Sequence, residues 1–300
     1  MKWWGERKLR FQHPRLFKGE VCEDLLVLLA RRKAQLLEAH DLTTLPSGSS
    51  ARRSFRLDFE NGEVLKSRCF ESVGDAKRVE KILGLLNPEH FPRMVRRRGC
   101  AMLLQWIEGA SVASKDWNSE SLRRIGSLHA QIHMIPVSRF LRALSPTLSG
   151  WLIRLDHYLS QLHDIGAIND SDVSSAQRII RSRRPERLSV GIVHKDLCAE
   201  NIVTSPDGEI WVVDNETLSV DSPDYDLTRT FYRWPMDASQ TEAYLQGYSC
   251  HRSTTEFLTF KMFWTLAVLA ESALFRILRN TEMKDHPLSL LQDLLRRTDM

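Results

Sequence analysis

The stretch Val190-Gly-Ile-Val-His-Lys-Asp-Leu-Cys-Ala-Glu-Asn-Ile-Val203, with Val212-Val-Asp-Asn-Glu216 close behind it, constrains this chain more than any other part. It reads H-x-D-x-x-x-x-N between two apolar runs, and a second aspartate closes a third run. Short apolar runs bounded by polar residues read as buried strands, and a hairpin lets two strand ends meet at one rim. Phosphoryl transfer is the chemistry that asks for this set. One carboxylate must orient and deprotonate the acceptor, and a carboxylate plus an amide must hold Mg²⁺ on a triphosphate. Asp196, Asp214 and Asn201 supply those groups.

Three hundred residues, 42% hydrophobic and 27% charged, suit an ordinary globular enzyme of one large domain or two lobes. A net charge of +4 is mild for this size, and no nucleic-acid partner is expected from it. The basic residues cluster at Arg7-Lys8, Arg31-Arg32-Lys33, Arg52-Arg53 and Arg96-Arg97-Arg98. Charge runs are ordinarily solvated surface, and weak association with an anionic membrane surface is the further expectation they raise. Five scattered cysteines without a C-x-x-C pair imply reduced thiols, not a disulfide frame or a zinc site. The segment from Met1 to Glu6 has no apolar signal-like run, and Met262 to Ala270 falls short of the roughly 20 residues of a membrane span. A cytoplasmic location is expected.

Residues 1–40 are basic and then helical in pattern, with Val21, Leu25, Leu28, Leu29, Leu36 and Leu37 able to share a face. They read as an N-terminal extension. Residues 41–108 read as a small nucleotide-binding lobe. In it Phe55, Leu57 and Phe59 alternate with Arg56 and Asp58, Asn61-Gly62 signals a hairpin, and Val64 to Cys69 is extended again. A short helix from Asp75 to Leu86 and a buried strand from Ala101 to Ile107 complete it. Residues 109–300 turn mostly helical, beginning with a helix capped by Asn118 or Ser119 that turns Leu122, Ile125, Leu128 and Ile132 inward. The expected fold class is α+β, with a small mixed β lobe before a larger helical one carrying the catalytic loop, the metal site and the acceptor pocket.

The other parts of such a site have predictable places. Lys66 lies two residues from Val64 on one strand and so on the same face, where the lysine would meet the α- and β-phosphates and the valine would cover adenine. Glu80, on the following helix, is the natural ion partner of Lys66, with Glu71 as competitor. Gly48 and Ser49, in Pro46-Ser-Gly-Ser-Ser50, are candidates to cradle phosphates with backbone amides. Gln105, Trp106 and Ile107 would offer backbone groups to adenine at an interlobe hinge. Asp196 is the acceptor-orienting carboxylate and base, and Asn201 and Asp214 are the metal ligands. His194 braces the loop, while Lys195 either neutralises phosphate charge or points to solvent. His129 and His133 are spaced i, i+4 without the H-E-x-x-H pattern, which makes them a structural pair.

With these residues in view, the chain resembles the aminoglycoside phosphotransferase and choline kinase-like group of the protein-kinase-like fold. The resemblance rests on Gly126-Ser-Leu-His129, His194-Lys-Asp-Leu-Cys-Ala-Glu-Asn201, Val213-Asp-Asn-Glu216, Asp224-Tyr-Asp-Leu227 and the segment Leu104-Gln-Trp-Ile-Glu-Gly109. It implies ATP and Mg²⁺ as cofactors and a small-molecule hydroxyl as acceptor: a sugar, an amino alcohol or an aminoglycoside-like compound. It also implies that Glu216 lies near the metal site and that Asp226 anchors the catalytic loop. Lys195 stands where the group has glycine, and the phosphate loop is poor in glycine. Asp214-Asn-Glu216 in place of D-F-G, with no A-P-E, argues against a protein kinase. The alternatives are a kinase for the sugar of an anionic glycolipid and a catalytically silent kinase-like nucleotide-binding protein.

Overall fold

A computed structural model of the chain describes residues 16–17, 21–43, 53–111, 117–279 and 285–297. The chain forms two compact units, one of residues 1–112 with 200–219 and the other of residues 113–199 with 220–300. The first unit thus runs to residue 112 and takes in residues 200–219, the hairpin that follows the His194–Asn201 motif.

The first unit is built on a five-stranded antiparallel sheet: β1 (Leu36–Asp41), β2 (Ser54–Phe59), β3 (Val64–Cys69), β4 (Met94–Arg98) and β5 (Ala101–Gln105), in the order β1-β2-β3-β5-β4. Asn61-Gly62 makes the β2–β3 turn, with Gly62 at φ +78°, a conformation that suits glycine. Helix α1 (Glu23–Ala30) buries Leu25, Leu28 and Leu29 against Phe55, Leu57, Leu65 and Leu103, and the Phe17 ring packs edge-on to Phe55 at 4.9 Å. Leu36 and Leu37, expected on the same helical face, instead open β1. Leu36 points into the core and Leu37 is exposed. Pairing of β1 with β2, from Leu36↔Phe59 to Asp41↔Phe55, supplies backbone partners that override the helical period. This part of residues 1–40 is sheet core, not an appendage. Helix α2 (Val73–Leu83) starts at Ser72, whose Oγ accepts the Asp75 N–H at 3.0 Å, and turns Val79 and Ile82 inward. A short strand β6 (Ala110–Ser111) pairs with Ile202–Thr204, which pairs with Ile210–Val212.

The second unit is helical: α3 (Ser119–Met134), α4 (Leu148–Asp164), α5 (Asp170–Arg183), α6 (Pro223–Arg233), α7 (Ala238–Ser249), α8 (Thr255–Leu278) and α9 (Asp285–Arg297). Asn118 caps α3 by accepting the Ser121 N–H at 2.8 Å. Helices α3 and α7 approach closely through two glycines. A Cβ on Gly126 would lie 2.1 Å from the Tyr244 carbonyl oxygen, and one on Gly247 would lie 1.9 Å from that of Arg123. This contact sets His129 and His133 against Tyr244 and Tyr248. Among the described residues α8 is long and apolar enough to cross a membrane. It is here the spine of the unit's core, burying Phe263, Trp264, Leu266 and Val268 against Trp151, Leu155 and Ile179.

Candidate active site

In the first unit the pleat of β3 sorts its side chains. Leu65, Ser67 and Cys69 point into the core, while Val64, Lys66 and Arg68 share the other face. Lys66 Nζ pairs there with two carboxylates, Asp214 and, at 2.7 Å, Glu216. Burial opposes charge on this lysine, but Glu216 and Asp214 outweigh it and lift its pKa above the ordinary value. The same competition acts on Glu216. Burial would raise its carboxyl, yet Lys66 and then Arg68 pull it below the usual range. Lys66 and Glu216 are therefore both ionised, although only 12% and 8% exposed.

Local structure explains how the carboxylates arrive. Asp214 takes a left-handed conformation, φ 58°, as the chain leaves the Ile210–Val212 strand and enters a 3₁₀ turn over Asn215–Thr217. Asn215 Nδ2 donates to the Val212 carbonyl at 2.9 Å and pins that turn. Val213 N–H donates to the Asn201 carbonyl at 2.9 Å, so Asn201 and Asp214 stand on adjacent strand ends. Asn201 is buried, whereas Asp214 is half-exposed. Amide and carboxylate oxygens are hard donors, the type that Mg²⁺ selects, and the half-exposed Asp214 can take an ion that keeps several waters.

Glu80 is not the partner of Lys66. It accepts a hydrogen bond from Arg97 Nε on β4 at 2.5 Å. Arg97 brings a guanidinium to this side of α2, and Lys66 is already held by the carboxylates at 214 and 216. Glu216 thus takes the role assigned to Glu80. The family resemblance places Glu216 near the metal site, and nothing in the sequence marks it as the partner of Lys66. Gln105 ends β5, and Trp106 and Ile107 follow outside any strand; all three are half-buried, with Arg56 stacked 5.0 Å from the Trp106 ring. Gly48 and Ser49 lie outside the described residues.

In the second unit the catalytic loop hangs on Asp226. This fully buried carboxylate accepts the backbone N–H groups of His194 and Lys195, each at 2.7 Å. Its Oδ2 also accepts Nε2–H from His129 and from His133, each at 3.1 Å. The Nδ1 atoms of these rings then accept the hydroxyls of Tyr244 at 2.7 Å and Tyr248 at 2.6 Å. Burial would raise the Asp226 carboxyl, but hydrogen bonds and charge interactions with His129 and His133 hold it well below the usual carboxylate range. Burial, with the neighbouring His129, pushes His133 down to about 3. The ligand atoms of His129, His133 and Asp226 lie within 4.8 Å of one another, as in a metal site. Every ring nitrogen is nevertheless engaged, and the set reads as a hydrogen-bonded anchor.

That anchor shapes the loop. His194 is buried, and its Nδ1 accepts the Asp196 N–H at 3.3 Å, the bracing expected of it. Lys195 adopts φ 65°, a left-handed turn rare outside glycine. Its side chain does not point freely to solvent: Nζ lies 2.7 Å from Oδ2 of the buried Asp221, whose Oδ1 accepts Trp151 Nε1–H at 2.8 Å. The Asp196 carboxylate is one-third exposed, with Arg233 Nε 3.5 Å away. Sequence reasoning missed Arg233, since no motif marks it, and considered Asp221 only as one of several carboxylates that could meet a cationic acceptor, whereas it pairs with Lys195.

Known proteins support what this geometry suggests. The sequence matches the phosphotransferase enzyme family, APH, over residues 41–259. No curated protein sequence matches the chain. Among solved structures it is similar to the macrolide 2′-phosphotransferase MphH from Brachybacterium faecium, with 16% identity, 90% of this chain and 98% of that chain covered, and a TM-score of 0.62. It is similar to LicA in complex with AMP, with 14% identity, coverage of 91% and 96%, and a TM-score of 0.63. It is also similar to a Plasmodium vivax ethanolamine kinase, with 12% identity, coverage of 88% and 83%, and a TM-score of 0.62. Such identities speak to fold alone, which is the kinase-like α+β architecture with a small sheet lobe and a larger helical lobe. The family match spans most of the chain and contains Lys66, Asp196, Asn201 and Asp214, so the chain belongs to the phosphotransferase enzyme family.

Proposed function

We propose that this enzyme is an ATP- and Mg²⁺-dependent phosphotransferase that moves the γ-phosphate to a hydroxyl of a small molecule in the cytoplasm. The acceptor class is a sugar, an amino alcohol or an aminoglycoside-like compound. The observation that carries the reading is the cluster of Lys66, Asp214 and Glu216 beside Asn201. A buried lysine held by two carboxylates is costly to maintain as mere structure, and it matches what phosphate and a divalent ion require.

Asn201 and Asp214 would hold Mg²⁺, which when bound would offset charge on the phosphates. Lys66 binds the α- and β-phosphates, and Glu216 keeps it protonated and aimed. Val64 covers adenine, the backbone of Gln105, Trp106 and Ile107 offers it hydrogen bonds, and Gly48 and Ser49 cradle phosphate. Asp196 orients the acceptor hydroxyl and takes its proton as the phosphoryl group moves in line. The LicA structure with AMP agrees with nucleotide use by this fold.

The test is Asp196→Ala. Acceptor-dependent ADP release should fall about 10²- to 10⁴-fold, the usual worth of a positioned base. Nucleotide binding should survive: ATP with Mg²⁺ at about 100 times its dissociation constant stabilises a folded protein by about 2.7 kcal/mol, and the variant should show the same thermal shift as the parent. Undiminished turnover in the variant, or ATP binding indifferent to Mg²⁺ in the parent, would sink the assignment.

A further inference from the structure

Arg233 stands beside the carboxylate that faces the acceptor. It is the last residue of α6, with Nε 3.5 Å from Asp196 Oδ1 and Nη2 3.9 Å from the Cys198 sulfur. Its side chain is 33% exposed. The Nε–H itself is buried and, among the described residues, meets no hydrogen-bond acceptor at bonding geometry. The other cations of this loop are engaged. Lys195 is held by Asp221, while Arg229 donates to the Lys195 carbonyl and lies 3.7 Å from Glu271. Arg233 is thus a guanidinium beside the base whose donors are incompletely used.

A guanidinium has five N–H donors, no acceptor and a permanent charge, and its planar fork suits carboxylate and phosphate oxygens. Asp196 at 3.5 Å does not supply that geometry. A cation in this place would also repel an ammonium group on an incoming acceptor. We propose that Arg233 is a specificity-determining residue that binds an oxyanion of the acceptor, carboxylate or phosphate ester, a few bonds from the reacting hydroxyl. The proposal rests on the phosphotransferase reading and narrows it: the preferred acceptor is a hydroxylated anion, not a polycationic aminoglycoside. The competing role, in which Arg233 only steadies Asp196, would make its loss felt in kcat for every acceptor alike.

The experiment measures ADP release with Mg²⁺ and ATP across matched acceptors. Glycerate and glucuronate form the carboxylate arm, and glucose 6-phosphate the phosphate arm. Glycerol and glucose are the neutral controls, and glucosamine, choline and kanamycin the cationic ones. The anions should exceed their neutral counterparts in kcat/KM by roughly 10-fold or more. Arg233→Gln should raise KM for the anions roughly 10- to 100-fold with little change in kcat, and Arg233→Lys should restore part of the loss. Arg233→Glu should move preference toward glucosamine. Thermal unfolding of each variant checks that it folds. Best turnover of a cationic or neutral acceptor by the parent, or an equal kcat loss for all classes in Arg233→Gln, would overturn the proposal. No ADP release with any acceptor, together with no nucleotide-dependent thermal shift, would instead remove the phosphotransferase reading beneath it.

Discussion

Each unit holds a carboxylate cluster, and the two are satisfied in opposite ways. In the first, Asp214 and Glu216 share Lys66, with Arg68 adding positive charge near Glu216, and Asp214 remains half-exposed. In the second, Asp226 is fully buried and surrounded by four N–H donors from His129, His133 and the loop backbone. An ion pair with an exposed member can trade its partner for a metal ion or a phosphate at small cost. A carboxylate saturated by buried N–H donors has nothing to exchange. The first arrangement suits a site that must bind and release ligands, and the second suits a fixed support. Acidic residues near a catalytic loop are therefore told apart by what satisfies them, not by how many there are.

The widest gap between the clusters should appear on removing the central carboxylate. Asp226→Ala strands two buried histidines and two backbone N–H groups, and should cost about 3–5 kcal/mol in urea unfolding while abolishing turnover. Stability within 1 kcal/mol of the parent (roughly one hydrogen bond's worth) would mean the anchor is not structural. Lys66→Met should be milder in stability, about 1–3 kcal/mol, because Asp214 reaches solvent and Arg68 still faces Glu216. Its larger effect should be on nucleotide, read as a strongly weakened ATP titration in the thermal-shift assay.

Acid should separate the clusters further. His133 has a folded-state pKa near 3, below its ordinary 6.5, so the unfolded chain binds its proton first. Its contribution is complete above pH 6.5 and is lost as pH falls toward 3. Asp224, which burial raises to about 6, acts in the opposite sense: its contribution is present below 3.8 and disappears as pH rises through 6. In His133→Gln the loss of stability between these limits should flatten; an acid limb identical to the parent's would show that His133 is not the group responsible. The smallest effect belongs to Glu80→Gln. A half-buried pair with Arg97 is worth at most about 1 kcal/mol, and ATP affinity should hold within about two-fold. A large loss of ATP binding in this variant would return Glu80 to the nucleotide site and displace Glu216 from it.

Much of the fold was legible because it obeys short-range rules. The alternation around Phe55, Leu57 and Phe59, the Asn61-Gly62 turn and the cap at Asn118 each depend on residues a few places apart, and each appears in the structure. Leu36 and Leu37 misled because an apolar pair fits a helix face or a strand equally, and pairing with the distant β2 decided the matter. Glu80 misled for a similar reason. A helical glutamate at suitable spacing is common, whereas its actual partner, Arg97, depends on how α2 packs beside β4.

The sequence by itself determined the chemistry's inventory: a lysine on a strand, an H-x-D-x-x-x-x-N loop, and an aspartate with a glutamate two places on. The loop and the aspartate–glutamate pair after it are constrained locally, since the chain between them is short and its strands are strongly apolar. Only the tertiary structure decided who pairs with whom. It gave Glu216 to Lys66, Asp221 to Lys195, His129 and His133 to the Asp226 that was expected to anchor the loop, and Arg233 to Asp196. Charges attract at any sequence separation, and burial strengthens whichever pair the packing happens to bring together.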